Sequence, residues 1–118
     1  MNLIQSLFGG GTAVESITAE DYKKQFKKAK KKHVLIDVRT AREFDEGHVA
    51  KSINIPLSDL NQQLERIPTD QTVVLICASG SRSRVAANKL MKAGYENIIN
   101  LHGGTSAWVQ AGGKLSRK

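Results

Sequence analysis

The chain has 118 residues, with 18 lysines and arginines against 11 acidic residues, and a formal net charge of +7 at pH 7. This length suits one domain with a single core, and its 40% hydrophobic and 25% charged residues are typical of an ordinary globular protein. A single cysteine excludes an internal disulfide and a cysteine-rich zinc site, and it fits a reducing compartment.

The sequence also argues against export and membrane insertion. No stretch approaches the ~18 apolar residues of a membrane span. Residues 1–8 hold a short apolar cluster, without the basic start and long apolar run of a secretion signal. We therefore expect a cytoplasmic protein with no membrane span. Its predicted parts are a flexible segment over 1–13, one domain over 14–114 and a frayed polar tail over 115–118.

The net charge comes from one lysine-rich segment. Residues 23–32 contain seven lysines and no acid, which accounts for the whole of the +7. Tyr22, Phe26 and Ala29 recur there at helical spacing, and Thr18 is the predicted N-cap. The pattern predicts an amphipathic helix with solvated lysines. The alternative is a basic surface for nucleic acid or anionic lipid, but no nucleic-acid motif accompanies it, and we expect no nucleic-acid partner.

Strands and helices alternate along the rest of the chain. Strands are predicted at 14–17, 33–38, 72–76 and 96–101, with a short extended segment within 48–56. Two of them, 33–38 and 72–76, are almost wholly apolar, as in strands buried on both faces of a parallel sheet. The alternation predicts an α/β fold with a mostly parallel sheet.

Helix signals fill the intervals between the strands. Thr40 and Glu43 form a predicted capping box, and Gly47 ends that helix. The next helical segment carries Leu57, Leu60 and Leu64, with Ser58 as its predicted cap. A further helix, which ends before Gly94, has one apolar face formed by Val85, Ala86, Leu90 and Ala93. The last helix contains Trp108, a predicted core residue, and ends before Gly112.

The loop after the strand at 72–76 combines the features of a nucleophile site. Cys77 lies at the carboxyl end of that strand and faces a helix N-terminus, where open α/β sheets bind ligands. The small residues Ala78, Ser79, Gly80 and Ser81 let backbone N–H groups point inward as an anion-binding nest. Such a nest stabilises a thiolate and should lower the cysteine pKa below ~8.5. The alternative is that Cys77 is a small buried hydrophobe.

Other polar residues have two interpretations each. Arg82 adds a cation that can fork onto an oxyanion, and the Ser83 hydroxyl either bonds the sulfur or caps the helix. Asp37 is an acid/base, or it forms a bracing network with Arg39. His48 is a structural hydrogen-bonding residue or a catalytic base. The remaining histidines, His33 and His102, have no ligand spacing, so no metal is expected.

Four separated motifs resemble the single-domain rhodanese (thiosulfate sulfurtransferase) family, over roughly residues 14–114. They are Asp37-Val38-Arg39 with Glu43-Phe44 and Gly47-His48-Val49, then Asn54-Ile55-Pro56, then the loop Cys77 to Ser83, and last Gly103-Gly104 with Trp108 and Gly112. The resemblance implies a rhodanese-like three-layer α/β domain with a five-stranded parallel sheet and helices on both faces.

The resemblance also implies an activity. Cys77 would take a sulfane sulfur from thiosulfate, a persulfide or a polysulfide, become a persulfide, and pass the sulfur to cyanide, a small thiol or a protein thiol. The substrate-binding residues would be Ala78, Ser79, Gly80, Ser81, Arg82 and Ser83, supported by Asp37, Arg39 and His48. No cofactor is implied.

Two other functions compete with sulfur transfer. Cysteine phosphatases and arsenate reductases of the same fold place five residues between cysteine and arginine, whereas four separate Cys77 from Arg82 here. A non-catalytic rhodanese-like module would bind a protein partner, but such modules usually lack the cysteine that this chain keeps.

Overall fold

The computed structural model describes residues 14–118, so the segment expected to be flexible, 1–13, lies outside the described residues. Its middle layer is one sheet of five strands in the order β1-β5-β4-β2-β3, with every neighbouring pair parallel. The strands are β1 (Glu15–Ile17), β2 (His33–Asp37), β3 (Ile53–Asn54), β4 (Thr72–Ile76) and β5 (Ile98–Leu101). The parallel α/β sheet expected from the sequence is confirmed.

Helices cover both faces of the sheet. They are α1 (Ala19–Tyr22), continued by a π-helix (Lys23–Lys28), then α2 (Ala41–Glu46), 3₁₀-helices at Leu57–Gln62 and Leu64–Arg66, α3 (Ser81–Lys92) and α4 (Gly104–Gln110). Within residues 14–118, no helix has the length and apolar character needed to cross a membrane.

The sheet separates two apolar clusters because successive side chains of a strand point to opposite faces. Val73 and Leu75 of β4, with Cys77 just beyond the strand, pack in the cluster that includes Leu90 of α3. Val74 and Ile76 belong to the other cluster, and so do Tyr22, Phe26 and Trp108. The alternation therefore directs the cysteine towards the layer that contains α3.

The strand order places that cysteine at a change in the direction of the connections between strands. The chain leaves β2 towards β3 on one side and leaves β4 towards β5 on the other. The carboxyl ends of these adjacent strands form the topological switch point at which α/β sheets bind ligands. Asp37 ends β2 and Cys77 follows β4, so both residues lie at this point.

Two predicted helix starts are confirmed. The Thr18 side chain accepts a hydrogen bond from the backbone N–H of Asp21 at 3.1 Å. Thr40 and Glu43 form the predicted capping box: the Glu43 N–H donates to Thr40 Oγ1 at 3.2 Å, and the Thr40 N–H donates to Glu43 Oε1 at 3.0 Å. Gly47 ends α2, as expected.

The lysine-rich helix differs from its prediction. After Tyr22 it widens into a π-helix, in which the Ala29 N–H donates to the carbonyl of Lys24, five residues back, at 3.2 Å. Tyr22 and Phe26 are buried as expected, but Ala29 is exposed. The wider turn rotates Ala29 away from the apolar stripe, because its position on that stripe assumed 3.6 residues per turn.

The prediction of the buried face of α3 is right for Ala86 and Leu90 and wrong for Val85 and Ala93. Ser83, Ala86, Ala87 and Leu90 are buried, at the i, i+3, i+4, i+7 spacing of one helix face, whereas Val85 is 47% exposed and Ala93 is exposed. Ser58 does not cap the following segment either, since that segment is a 3₁₀-helix with Pro56 at its N-cap position and no side-chain cap bond.

The polar tail is paired rather than frayed in the described structure. His48 and Ser116 form an antiparallel bridge, with N–H to carbonyl distances of 2.8 Å and 2.6 Å. The His48 ring bonds the Lys118 carbonyl through Nε2 at 2.7 Å. The expectation of fraying is therefore wrong for these residues, because a polar composition does not reveal a partner segment elsewhere in the chain.

Gly104 brings α4 against the cysteine loop, and its substitution tests how much the fold depends on that approach. Its φ is +61°, and a Cβ there would lie 2.2 Å from the Cys77 carbonyl oxygen. We expect Gly104→Ala to lower the free energy of unfolding by about 3 kcal/mol or more, from overpacking and backbone strain together. Urea unfolding measures this change.

Gly94→Ala is the matched control for that substitution. Gly94 also has a positive φ, +101°, but a Cβ there would meet nothing within 4 Å. We expect a loss of about 1 kcal/mol from backbone strain alone. Equal losses in the two variants would contradict the importance of the contact between α4 and the loop.

Candidate active site

The Cys77 sulfur lies at the centre of a ring of hydrogen-bond donors. The backbone N–H of Gly80 donates to Sγ at 3.0 Å, and the Ser83 hydroxyl lies 3.4 Å from it. Gly80 has a φ of +105°, which a residue with a side chain rarely adopts, and this conformation turns its N–H inward. The residue Cys77 is fully buried and is the single free cysteine of the described chain.

The first turn of α4 holds the loop in this orientation. The Thr105 N–H donates to the Cys77 carbonyl at 2.8 Å, and the Ser106 N–H donates to the Ala78 carbonyl at 3.2 Å. With these carbonyls bonded on the α4 side, the following amides are free to face the sulfur. The anion-binding nest expected from the small residues thus depends on a helix that follows much later in the chain.

The environment of the sulfur favours its ionised form. Burial by itself raises the pKa of Cys77, but hydrogen bonds from the Ser83 side chain and from the amides of Ser83, Gly80 and Ser79 outweigh burial. The net result is a Cys77 pKa below its ordinary value. Since the thiolate is the nucleophilic form of cysteine, the loop prepares Cys77 for attack on an electrophilic sulfur.

Ser83 links the sulfur to a residue of β5. Its Oγ lies within hydrogen-bond distance of the Asn100 side-chain amide and 3.1 Å from the Gly80 carbonyl, so its single proton is shared among these groups and the Cys77 sulfur. Gly80 holds the N-cap position of α3, so the alternative in which Ser83 caps that helix is wrong. Ser83 and Asn100 are both buried, so the hydroxyl orientation is determined by protein groups and not by solvent.

Arg82 lies at the cysteine loop, but the terminal nitrogens of its guanidinium are already paired. Its two terminal nitrogens, Nη1 and Nη2, bond both carboxylate oxygens of Glu43 at 2.7 and 2.9 Å. This interaction, with desolvation opposing it and Thr40 assisting, lowers the pKa of Glu43 to about 2. The pKa of Arg82 is raised, first by Glu43 and to a smaller extent by the charges of Cys77 and Asp37. The guanidinium is therefore shared between a carboxylate and the cysteine site.

Asp37 and Arg39 form a second, more deeply buried pair. Arg39 donates to the Asp37 carboxylate through Nε at 3.0 Å and Nη2 at 2.8 Å, and through Nη2 to the Gly47 carbonyl at 2.7 Å. The Asn54 side chain bonds the backbone carbonyls of Asp37 and Arg39 at 3.0 and 2.9 Å. This geometry joins β2, β3 and the end of α2, which suits a bracing role better than an acid/base role.

The rings of His48 and His33 are hydrogen-bonded to other protein groups. His48 bonds the Phe44 carbonyl through Nδ1 at 2.8 Å and stacks on the Phe44 ring with centroids 3.7 Å apart. His33 bonds the Tyr22 hydroxyl at 2.7 Å, and His102 is exposed. In the part of the chain that the structure describes, no three histidine, cysteine or acidic side chains gather as a metal site would require.

The sequence patterns did not indicate that two further residues belong to the site. Glu43 was recognised as a capping residue, but its pairing with Arg82, 39 positions away, has no sequence signal. Asn100 did have one, since a polar residue interrupts the apolar run Ile98 to Leu101 at the end of a predicted strand. A buried amide in a central sheet needs a partner, and here the partner is Ser83.

The fold and site together define an α/β domain with an activated cysteine at the carboxyl edge of a parallel sheet. A family model described as a rhodanese-like domain matches residues 18–111, and the chain belongs to that family. It is 41% identical over 105 residues to the uncharacterized protein YqhL of Bacillus subtilis, covering 89% of this chain and 78% of YqhL.

Two further comparisons agree with this family. A protein named sulfurtransferase from Allochromatium vinosum is 37% identical over 79 residues, covering 67% of this chain and 74% of that protein. A crystal structure of a rhodanese-related protein from Thermoplasma volcanium matches with a TM-score of 0.75 at 33% identity, covering 88% of this chain and 99% of that one.

Removing the Ser83 hydroxyl should change how the site responds to pH. Because that hydroxyl lowers the Cys77 pKa, Ser83→Ala should raise it. Less thiolate is then present in acid, so the rate of Cys77 modification by a thiol-reactive sulfur donor should fall several-fold near about pH 6 and little near about pH 9. Ser106→Ala, an exposed serine on α4, is the control. Superimposable pH profiles for Ser83→Ala and wild type would contradict this role.

Replacing Asp37 with asparagine tests the bracing pair. The side chains of Arg39 and Asp37 are 8% and 0% exposed, so the substitution leaves a buried guanidinium without its counter-charge. We expect a loss of about 3–5 kcal/mol in the free energy of unfolding, measured in urea. The control is Asp45→Asn in the exposed part of α2, for which we expect a change within about 0.5 kcal/mol. Similar small losses in both variants would exclude a bracing role.

Proposed function

We propose that this protein is a sulfurtransferase that moves a sulfane sulfur from thiosulfate or a persulfide or polysulfide donor to a thiophilic acceptor through a Cys77 persulfide. The observation that carries the proposal is the buried Cys77 sulfur, bonded by the Gly80 N–H at 3.0 Å in a loop that lowers its pKa. Membership of the rhodanese-like domain family and the sulfurtransferase name of one relative support it.

The first half-reaction loads the cysteine. The Cys77 thiolate attacks the outer sulfur of the donor, a new sulfur–sulfur bond forms, and the original one breaks with its electron pair leaving on sulfite or on a thiolate. The terminal sulfur of the persulfide is then an anion for which inward amides are suitable donors, as the Gly80 N–H is for Sγ. No strong base is needed, since the attacking group is already ionised.

The second half-reaction transfers the sulfur from Cys77 to an outside acceptor. An acceptor thiolate or cyanide attacks the terminal sulfur, and the electron pair of the breaking bond returns to Cys77 as a thiolate. This chain has one cysteine, so it holds no second thiol that could take the sulfur instead. A reducing, cytoplasmic setting and a protein thiol as acceptor are both consistent with this chemistry.

The loop length argues against phosphate transfer on the same fold. Four residues separate Cys77 from Arg82, which makes a tighter ring of amides than a tetrahedral phosphate requires. Arg82 is moreover paired to Glu43 through both terminal nitrogens, so its fork is not free for a phosphate. These observations favour a single sulfur as the group that the loop holds.

Intact-protein mass spectrometry tests the proposal. After incubation with thiosulfate or polysulfide, wild type should gain about 32 Da, and cyanide or a reducing thiol should remove the added mass. Cys77→Ser should gain nothing and should keep the wild-type circular dichroism spectrum, since the substitution is nearly isosteric.

Two results would contradict this mechanism. One is sulfur transfer that persists in Cys77→Ser. The other is a wild-type protein that gains no sulfur from either donor, which would favour the non-catalytic binding module, and a protein partner recovered by the same domain would strengthen that alternative.

A further inference from the structure

The Glu43–Arg82 pair is the feature of the cysteine site that the sulfur-transfer mechanism leaves unused. Both oxygens of Glu43 are engaged by Arg82, at 2.7 and 2.9 Å, and the two side chains are 34% and 36% exposed. The pair thus lies at the boundary between the loop and solvent. A bidentate pair at this position influences which sulfur donors the site accepts.

Glu43 is held in place from two sides. Besides Arg82, its Oε1 accepts hydrogen bonds from the Thr40 N–H at 3.0 Å and the Thr40 hydroxyl at 3.1 Å. The carboxylate is therefore anchored to the first turn of α2 and is not a mobile surface group. An anchored intramolecular carboxylate competes for the guanidinium at a high effective concentration, because it loses little freedom on binding.

The competition matters for donors that carry an oxyanion. Thiosulfate is a dianion whose sulfonate oxygens need a cation near a thiolate that repels them, and the geometry of Arg82 suits such a group. Glu43 already occupies the edge of that cation formed by its two terminal nitrogens. A sulfonate must displace the carboxylate or bind the remaining N–H groups beside a carboxylate that repels it. The reacting group of a persulfide donor, which leaves as a thiolate, carries no oxyanion next to the transferred sulfur and meets no such competition there.

We propose that Glu43 is a specificity-determining residue which, by holding Arg82, makes Cys77 prefer persulfide donors with a thiolate leaving group over sulfonate-bearing donors such as thiosulfate. This inference rests on the proposed sulfur transfer and adds the donor class. In the loading step for the preferred donor, Cys77–S⁻ and R–S–SH give Cys77–S–SH and R–S⁻, and the Cys77 persulfide then loses its proton to solvent. Glu43 acts through Arg82 and is a positioning residue.

Glu43→Gln is the direct test. Glutamine has the same shape, keeps an oxygen for Thr40 and serves equally in a capping box, but it has no charge with which to hold Arg82. We expect the ratio of kcat/KM for thiosulfate to kcat/KM for glutathione persulfide to rise by about tenfold, mainly through a lower KM for thiosulfate.

Glu46→Gln is the matched control. It makes the same charge change on the same helix, at a side chain that is 70% exposed and lies 4.0 Å from Arg42. It should leave the donor ratio within about twofold of wild type, because an exposed charge acts weakly at a distance. An equal rise in both variants would overturn the inference, since it would reflect a general reduction in negative charge.

A double-mutant cycle separates action through Arg82 from direct repulsion of the dianion. In the wild-type background, Arg82→Gln should reduce kcat/KM for thiosulfate only about twofold, since Glu43 already occupies the fork. In the Glu43→Gln background, the same change should reduce it about tenfold. If Glu43→Gln raises the ratio equally with and without Arg82, direct repulsion operates and the inference is overturned. The comparison of Arg82→Gln with wild type leaves the capping box unchanged, so it remains informative if Glu43→Gln folds poorly.

Failure of this inference can be told apart from failure of the sulfur-transfer proposal. If wild type gains about 32 Da from glutathione persulfide but the donor ratio is the same in Glu43→Gln, only the donor selection fails. If wild type gains no sulfur from either donor, both fail.

Discussion

The site depends on the close contact between the first turn of α4 and the cysteine loop. Backbone N–H groups of Thr105 and Ser106 bond the carbonyls of Cys77 and Ala78. A peptide group has its N–H and its carbonyl on opposite sides, so fixing the carbonyls on one side helps to present amides to the sulfur on the other. Gly104 makes the approach feasible because its missing side chain would occupy the space of the Cys77 carbonyl. The Ser83 hydroxyl and the amides that this arrangement presents together lower the Cys77 pKa.

Two arginine–carboxylate pairs lie at the carboxyl edge of the sheet and differ in what surrounds them. The pair of Arg39 and Asp37 is buried and tied to neighbouring backbone carbonyls, so its geometry has a single arrangement. The pair of Arg82 and Glu43 is about one-third exposed, so solvent reaches both partners. Burial therefore distinguishes the pair that joins neighbouring segments of the fold from the pair that lies at its surface.

Sequence patterns predicted the local parts of this structure well where one physical cause dominated. Mostly apolar segments became the central strands β2 and β4, and Thr40 with Glu43 formed the capping box. The patterns failed where a choice depended on the packing partner. Val85 and Ala86 are neighbours of similar character, and which one faces the core is decided by how α3 lies on the sheet. Ala29 left its stripe because the helix widens into a π-helix after Tyr22.

The sequence by itself determined the chemistry that this protein carries: one cysteine at the end of an apolar strand, followed by small residues, an arginine and a helix. These features are local, since strand, turn and helix propensities act over a few neighbouring residues. The tertiary structure alone decided which groups meet around the sulfur. Glu43 reaches Arg82 across 39 positions, and Asn100 reaches Ser83 across 17. Such contacts follow from the order of strands in the sheet, because parallel strands bring the ends of distant segments to one edge.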